Sequence, residues 1–284
     1  MKPFPILLGI LFAASTLAQT PYDSSAEFER YARMLREKAL LKLEPQVVIP
    51  TANRPLNRPK YPWRNNIVTT TFWIGEAASA NNPVNNHASC WDLNWSGSYG
   101  GFDNPDPAAR RNGFIPVNFL PKQNPFYCAL PYNDVTRGTT KPEAHSVIPW
   151  FNDAFERDGQ SVCRDRWIRI RSRGGKDCYA QWSDCGPFRT DHWQYVFGDE
   201  RPKPNLNQGA GLDVSPAVRD YLTLSSTDVT DWQFVDFKDV PRGPWSMYGD
   251  NNSFVQLAHH VPLRSAKLEP PKTSAPTPQQ PVGP

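Results

Sequence analysis

Charge of either sign is in no surplus in this chain of 284 residues, which carries 31 Lys and Arg against 28 Asp and Glu. No basic block stands out, so the electrostatic footprint of a nucleic-acid binder is missing. Histidine is scarce, at 5 residues. Neither Cys-x-x-Cys nor clustered His spacing occurs, so no metal and no cofactor is expected. Past the first residues there is no apolar run long enough to cross a bilayer. Cysteine is limited to five, an odd number, so a fully paired disulfide framework is excluded. Proline and tryptophan, by contrast, are plentiful, at 30 and 10.

The chain opens on the pattern of a secretory signal. Lys2 supplies the positive charge, residues 6–14 are apolar, and Thr16-Leu17-Ala18 offers small residues before Gln19. Residues 1–18 are therefore expected to be removed, leaving no membrane span, and the mature chain to be secreted or periplasmic. Export permits disulfides. Residues 19–44 hold an amphipathic helix, with Phe28, Tyr31, Met34 or Leu35, and Ala39 at helical spacing. Its apolar face packs on the main domain or meets a partner or membrane surface. Five prolines make 45–62 an extended linker. The main domain is placed at 63–261, and 262–284 reads as a disordered Pro-rich tail. A monomer is expected.

Within the domain, β-type runs recur. Residues 67–74 are rich in β-branched and aromatic side chains and read as the first strand. Residues 114–117 and 126–132 read as further strands, 231–237 as the closing strand, and 253–257 as a final one. Trp167, Ile168 and Ile170 lead into the turn Arg173-Gly174-Gly175-Lys176, and a second run follows from Cys178. That run stops at Cys185-Gly186-Pro187, which cannot continue a central strand. Later, Gly211-Leu212-Asp213-Val214 forms a short strand, and Ser215-Pro216 opens a helix, Ser capping and Pro filling the first turn. A hairpin centred on Gly174 sets Cys163 opposite Cys185, which predicts that bridge, with Cys90 to Cys128 as the next pairing. Cys178 then remains as a buried free thiol, grouped by alternation with Ala180 and Trp182.

Two segments carry a resemblance. Asp184-Cys185-Gly186-Pro187-Phe188 is similar to the Asp-Arg-Gly-Pro-Phe of rare lipoprotein A, and Leu212-Asp213-Val214-Ser215-Pro216-Ala217 to that family's acid-bearing segment. Their order and spacing resemble the double-psi β-barrel proteins: rare lipoprotein A, expansins, barwin and family 45 endoglucanases. The likeness covers roughly a third of the chain. It implies a mainly β fold, a six-stranded double-psi β-barrel with long loops, here with the N-terminal helix and Pro-rich tail attached. It also implies a cell-wall polysaccharide as partner. The first-strand segment Phe72-Trp73-Ile74-Gly75-Glu76 departs from the family pattern, with Glu displaced from the usual Asp. The family's Thr-Ala-Ala-His segment is absent.

The resemblance assigns Asp213 as the general acid; the other reading is that it bonds nearby backbone groups where the chain enters the helix at Ser215. Asp184 follows as a direct participant or a brace for the turn at Gly186, and Glu76 and Asp103 as candidate bases. A glycosidase needs such an acid, and an inverting one needs a base across the sugar. Aromatics among Asn and Asp suit pyranose rings, stacking on apolar faces while polar groups bond hydroxyls. Trp73, Trp91, Trp95, Tyr99, Trp182 and Trp193 are the candidates; the other reading is that they pack loops on the barrel. Three functions stay open: lytic or hydrolytic cleavage of a glycan, peptidoglycan or cellulose-like; non-catalytic, expansin-like wall binding; and a structural envelope role.

Overall fold

The computed structural model describes residues 60–260 except 81 and 113. The expected signal, N-terminal helix, tail and nearly all of the linker lie outside the described residues. Six strands close into a mixed barrel: β1 (Arg64–Thr71), β2 (Tyr127–Leu130), β3 (Trp167–Ser172), β4 (Asp177–Cys185), β5 (Leu212–Val214) and β6 (Thr227–Phe234). Around the barrel the order is β1, β6, β3, β4, β2, β5 and back to β1. Two neighbouring pairs, β1 with β5 and β4 with β2, run parallel; the others are antiparallel.

The β3–β4 hairpin turns where the glycines predict, with Gly175 at a φ of 80° that side chains disfavour. Alternation then buries Ile168, Ile170, Cys178, Ala180 and Trp182 inside the barrel, with Ile67, Leu212, Val214, Trp232 and Phe234 from the other strands. A second, smaller core lies against the barrel at β1 and β2. It holds Phe72, Ile74, Tyr127 and Ala129 under Trp95 and Tyr99 of a five-residue helix, α1 (Trp95–Tyr99). Ser215 caps α2 (Pro216–Leu222) by accepting the Val218 N–H, as the Ser-Pro pair implies.

Four expected strands differ. The first runs Arg64–Thr71, three residues earlier at each end than 67–74, so Phe72, Trp73 and Ile74 follow the strand instead of belonging to it. Residues 114–117 contribute only Ile115–Pro116 to a two-residue ladder apart from the barrel. The closing strand starts earlier and ends earlier than expected, at Thr227–Phe234. Residues 253–257 belong to a helix, α3 (Ser253–His260). There Phe254, Leu257 and Ala258 recur at helical spacing, and the Asn252 side chain accepts the Phe254 N–H.

Disulfide pairing also differs. Cys90 bonds Cys185, while Cys128, Cys163 and Cys178 are free and buried. The hairpin register would indeed carry Cys163 opposite Cys185, since Trp167 pairs Gln181 and Ile170 pairs Cys178. The strand stops first. Asp165 takes a φ of 64° and the chain turns away, so Cys163 N–H points to Asp134 instead. Cys128 sits inside the barrel opposite Trp182 and Val214, out of reach of the loop that carries Cys90.

Candidate functional site

One row of side chains crosses four strands of the barrel. Thr70 of β1 pairs Asp213 of β5, Asp213 pairs Ala129 of β2, and Ala129 pairs Asp184 of β4. Residues directly opposed across strands project to the same face. The two carboxylates therefore flank the methyl group of Ala129. Two strand spacings separate their Cα atoms, roughly 9–10 Å.

A bulge makes this row possible. Cys128 opposes Trp182, yet the next residue, Ala129, opposes Asp184, so Ser183 is the extra residue. Strict alternation would have sent Asp184 to the side of Trp182, into the barrel. Such bulges re-aim side chains, and they concentrate near active sites.

Asp213 accepts a hydrogen bond from the Thr70 hydroxyl. It is only partly exposed, and its carboxyl is pushed up from 3.8 to about 7. Burial is the main cause; Thr70 opposes it, and the charges of Glu76 and Asp184 add to it. Asp184 is 9 % exposed and is also raised to about 7 by burial, against the pull of backbone N–H groups at Cys90 and Cys185. The Cys90 N–H lies 2.9 Å from Asp184 Oδ1. The Cys90–Cys185 bridge ties the covering loop to the strand end and thereby holds that donor in place. Because Cys90 and Cys185 are bonded to each other, their close approach to Asp184 offers no thiolate ligand for a metal.

Glu76, half-buried at the end of the first strand's extension, accepts from the Asn86 amide at 2.9 Å. Its carboxyl is raised by burial, and its charge reaches Asp213. Three of the four predicted carboxylates thus converge. Asp103 does not join them. It is fully buried, bonded to Arg110 at 2.5 Å and to the Tyr127 hydroxyl at 2.8 Å. Burial raises its carboxyl even against Arg110. It is the anchor of the smaller core.

The predicted aromatic platform divides. Trp95, Tyr99 and Trp182 are fully buried, so protein covers their ring faces. Trp95 and Tyr99 build the smaller core and Trp182 the barrel core. Trp91 is half-buried edge-to-face on Trp182, with its indole N–H on Asn133. Trp193 packs partly against the barrel core at the start of the short helix Trp193–Val196. Trp73 alone among the six is half-buried without a place in either core.

Three aromatics outside that prediction are exposed: Phe102, Phe155, which stacks on Phe151, and Phe188. Phe188 is 41 % exposed in the turn after Gly186, at a φ of 60°. The same turn brings Gly186 within van der Waals reach of Asp213: a Cβ there would lie 3.9 Å from Asp213 Oδ2. Phe102, 48 % exposed, walls a groove beside Gly75. The signal for Phe188 lay in its own motif, since a large apolar residue just after Gly-Pro at a strand end has little core to enter.

The buried free thiols are pushed well above their ordinary range by burial, so they remain protonated and non-nucleophilic. No helix among the described residues is long and apolar enough to cross a membrane. Compared with known proteins, the chain matches no family model, and no curated protein is similar to it.

Proposed function

We propose that this chain is an exported double-psi barrel protein that cleaves a glycan, lytically or hydrolytically, with Asp213 as the acid. The observation that carries the reading is the Thr70–Asp213–Ala129–Asp184 row, in which two neighbouring carboxyls are both raised by burial to hold a proton near neutral pH. An acid must be protonated at working pH yet able to give the proton up, and a value near 7 meets both demands. Inverting hydrolysis needs two carboxyl groups flanking the scissile bond and a water, and Asp213 and Asp184 stand on either side of Ala129. Asp184, held by the Cys90 N–H, and Glu76, on the other flank of Asp213, are the carboxylates available to steer that water or the substrate's own hydroxyl.

A second reading, non-catalytic wall binding, is favoured by one feature. Asp184 is turned to backbone N–H groups and not to open solvent, and Phe188 is exposed in the turn whose Gly186 approaches Asp213. Incubation with peptidoglycan, cellulose and chitin, followed by mass spectrometry of soluble products, separates the two. Fragments from one polymer, lost in Asp213→Asn, establish the enzyme, and anhydro ends mark the lytic route. Retention on an insoluble polymer without fragments establishes the binder.

A further inference from the structure

One residue along the chain from Glu76, at Gly75, begins a groove of about 430 Å³ lined by Gly75, His87, Ser96, Gly101, Phe102 and Lys122 among others. That volume is within the range of small-ligand clefts, roughly 300–1,000 Å³. A short backbone ladder runs through both: Gly75 N–H bonds Asn86 at 2.8 Å, and Asn86 N–H bonds Glu76 at 2.9 Å. Gly75, which lines the groove, and Glu76, whose charge acts on Asp213, are consecutive residues of that ladder.

The wall is built around Phe102. A Cβ at residue 75 would meet the Phe102 ring at 2.8 Å, and Gly75 has a φ of 86°, so only glycine lets the ring sit there. Nearly half of Phe102 is nevertheless exposed. It also walls a neighbouring groove of about 270 Å³ with Asn104 and Asn118, so the ring forms a ridge between two depressions. A fixed, exposed aromatic flanked by amides suits the apolar face and hydroxyl rim of a pyranose.

Charge narrows the choice. Lys122 is exposed at the groove, its backbone held to the Tyr99 carbonyl at 2.8 Å. Among the described residues no carboxylate pairs with its ammonium. His87 keeps Nδ1 against the Ser96 hydroxyl at 3.3 Å, which leaves Nε2 for a ligand. A single cation beside one aromatic ridge matches one negative charge per sugar ring. A phosphate would call for several converging donors.

We propose that this groove is a binding subsite for a carboxylate-bearing pyranose of a glycan, with the ring on Phe102 and the carboxylate on Lys122. This rests on the glycan reading above and deepens it from any polysaccharide to an acidic one. The carboxylate could stand on C6, as in a uronic acid, or on a lactyl ether, as in N-acetylmuramic acid.

The test is calorimetric titration of the full mature chain carrying Asp213→Asn, which prevents turnover, at low salt. Two matched pairs distinguish the sources: a β-1,4-tetraglucuronate against cellotetraose, and an alternating N-acetylglucosamine–N-acetylmuramic acid tetrasaccharide against chitotetraose. The acidic member of one pair should bind about five- to tenfold more tightly, as a charge-assisted contact implies. Lys122→Gln should erase that preference while leaving the neutral affinity, and Phe102→Ala should weaken both members. Both residues are exposed, so circular dichroism should show an intact fold. Equal affinity within both pairs, no binding of any of the four, or a preference that survives Lys122→Gln, overturns the proposal. Cleavage of a neutral polymer with no acidic preference would sink the subsite and keep the enzyme. Acidic preference without cleavage by the unsubstituted chain would keep the subsite and sink the enzyme.

Discussion

Replacing Asp213 by Asn should make the protein more stable in a pH-dependent way while removing the proposed acid. Burial lifts the Asp213 carboxyl from 3.8 to about 7. The folded state therefore binds this proton more tightly than the unfolded state does. By linkage, stability from this group is highest below the unfolded value and declines as pH rises toward 7. Above that, the charged carboxylate costs the fold ~4 kcal/mol, at ~1.4 kcal/mol per pKa unit. Asparagine has the same shape, keeps an acceptor for Thr70 and never ionises. The Asp213→Asn variant should therefore match the unsubstituted chain near pH 3.5 and exceed it by up to ~4 kcal/mol at pH 8. Urea denaturation of both proteins at the two pH values measures this directly. Turnover on a cleavable glycan should fall by about 10²–10⁴ in the same variant. A stability difference that is the same at both pH values would refute the reasoning, because it would mean that Asp213 titrates as an ordinary exposed carboxyl.

Glu76→Gln removes a charge that raises Asp213. The alkaline limb of the pH profile of kcat/KM should move to lower pH, while burial keeps it well above 3.8. Arg110→Ala leaves Asp103 buried without its cation and should cost about 3–5 kcal/mol by chemical denaturation. Paired Cys90→Ser and Cys185→Ser changes open a crosslink spanning 95 residues and should cost about 2–5 kcal/mol. Amide exchange in the loop around Cys90 should rise in that paired variant.

Much of the barrel was legible because its strands obey the period-2 rule and its turns use residues with one conformational purpose. The β3–β4 hairpin follows from Gly174-Gly175, and β5 with α2 follows from Ser215-Pro216. What escaped was local termination. Register arithmetic placed Cys163 opposite Cys185 and was correct as arithmetic, since the paired residues of the hairpin keep that sum. A positive φ at Asp165, a residue that tolerates it, ended the strand before the cysteine was reached. Residues 253–257 are short enough to fit either period, and only the Asn252 cap and the run on to His260 decide for helix.

The site was legible as a pair of motifs but not as a geometry. Asp184 and Asp213 lie 29 positions apart in chains of opposite neighbours, and nothing in their spacing says that Ala129 stands between them. Alternation even argues against it. Cys178, Ala180 and Trp182 point into the barrel, so an unbroken strand would bury Asp184 among them. The single extra residue, Ser183, turns Asp184 to the face of Ala129 instead. A one-residue bulge carries no compositional signature, yet it decides whether the second carboxylate is a core defect or a functional group. The same reasoning explains the aromatic misassignment. Trp95, Tyr99 and Trp182 look like sugar platforms by residue type, but large aromatics in a chain with two cores are first needed to fill them. Among the described residues the exposed rings are instead Phe102, Phe155 and Phe188, and two of them sit beside glycines: Phe188 after Gly186-Pro187, and Phe102 against Gly75.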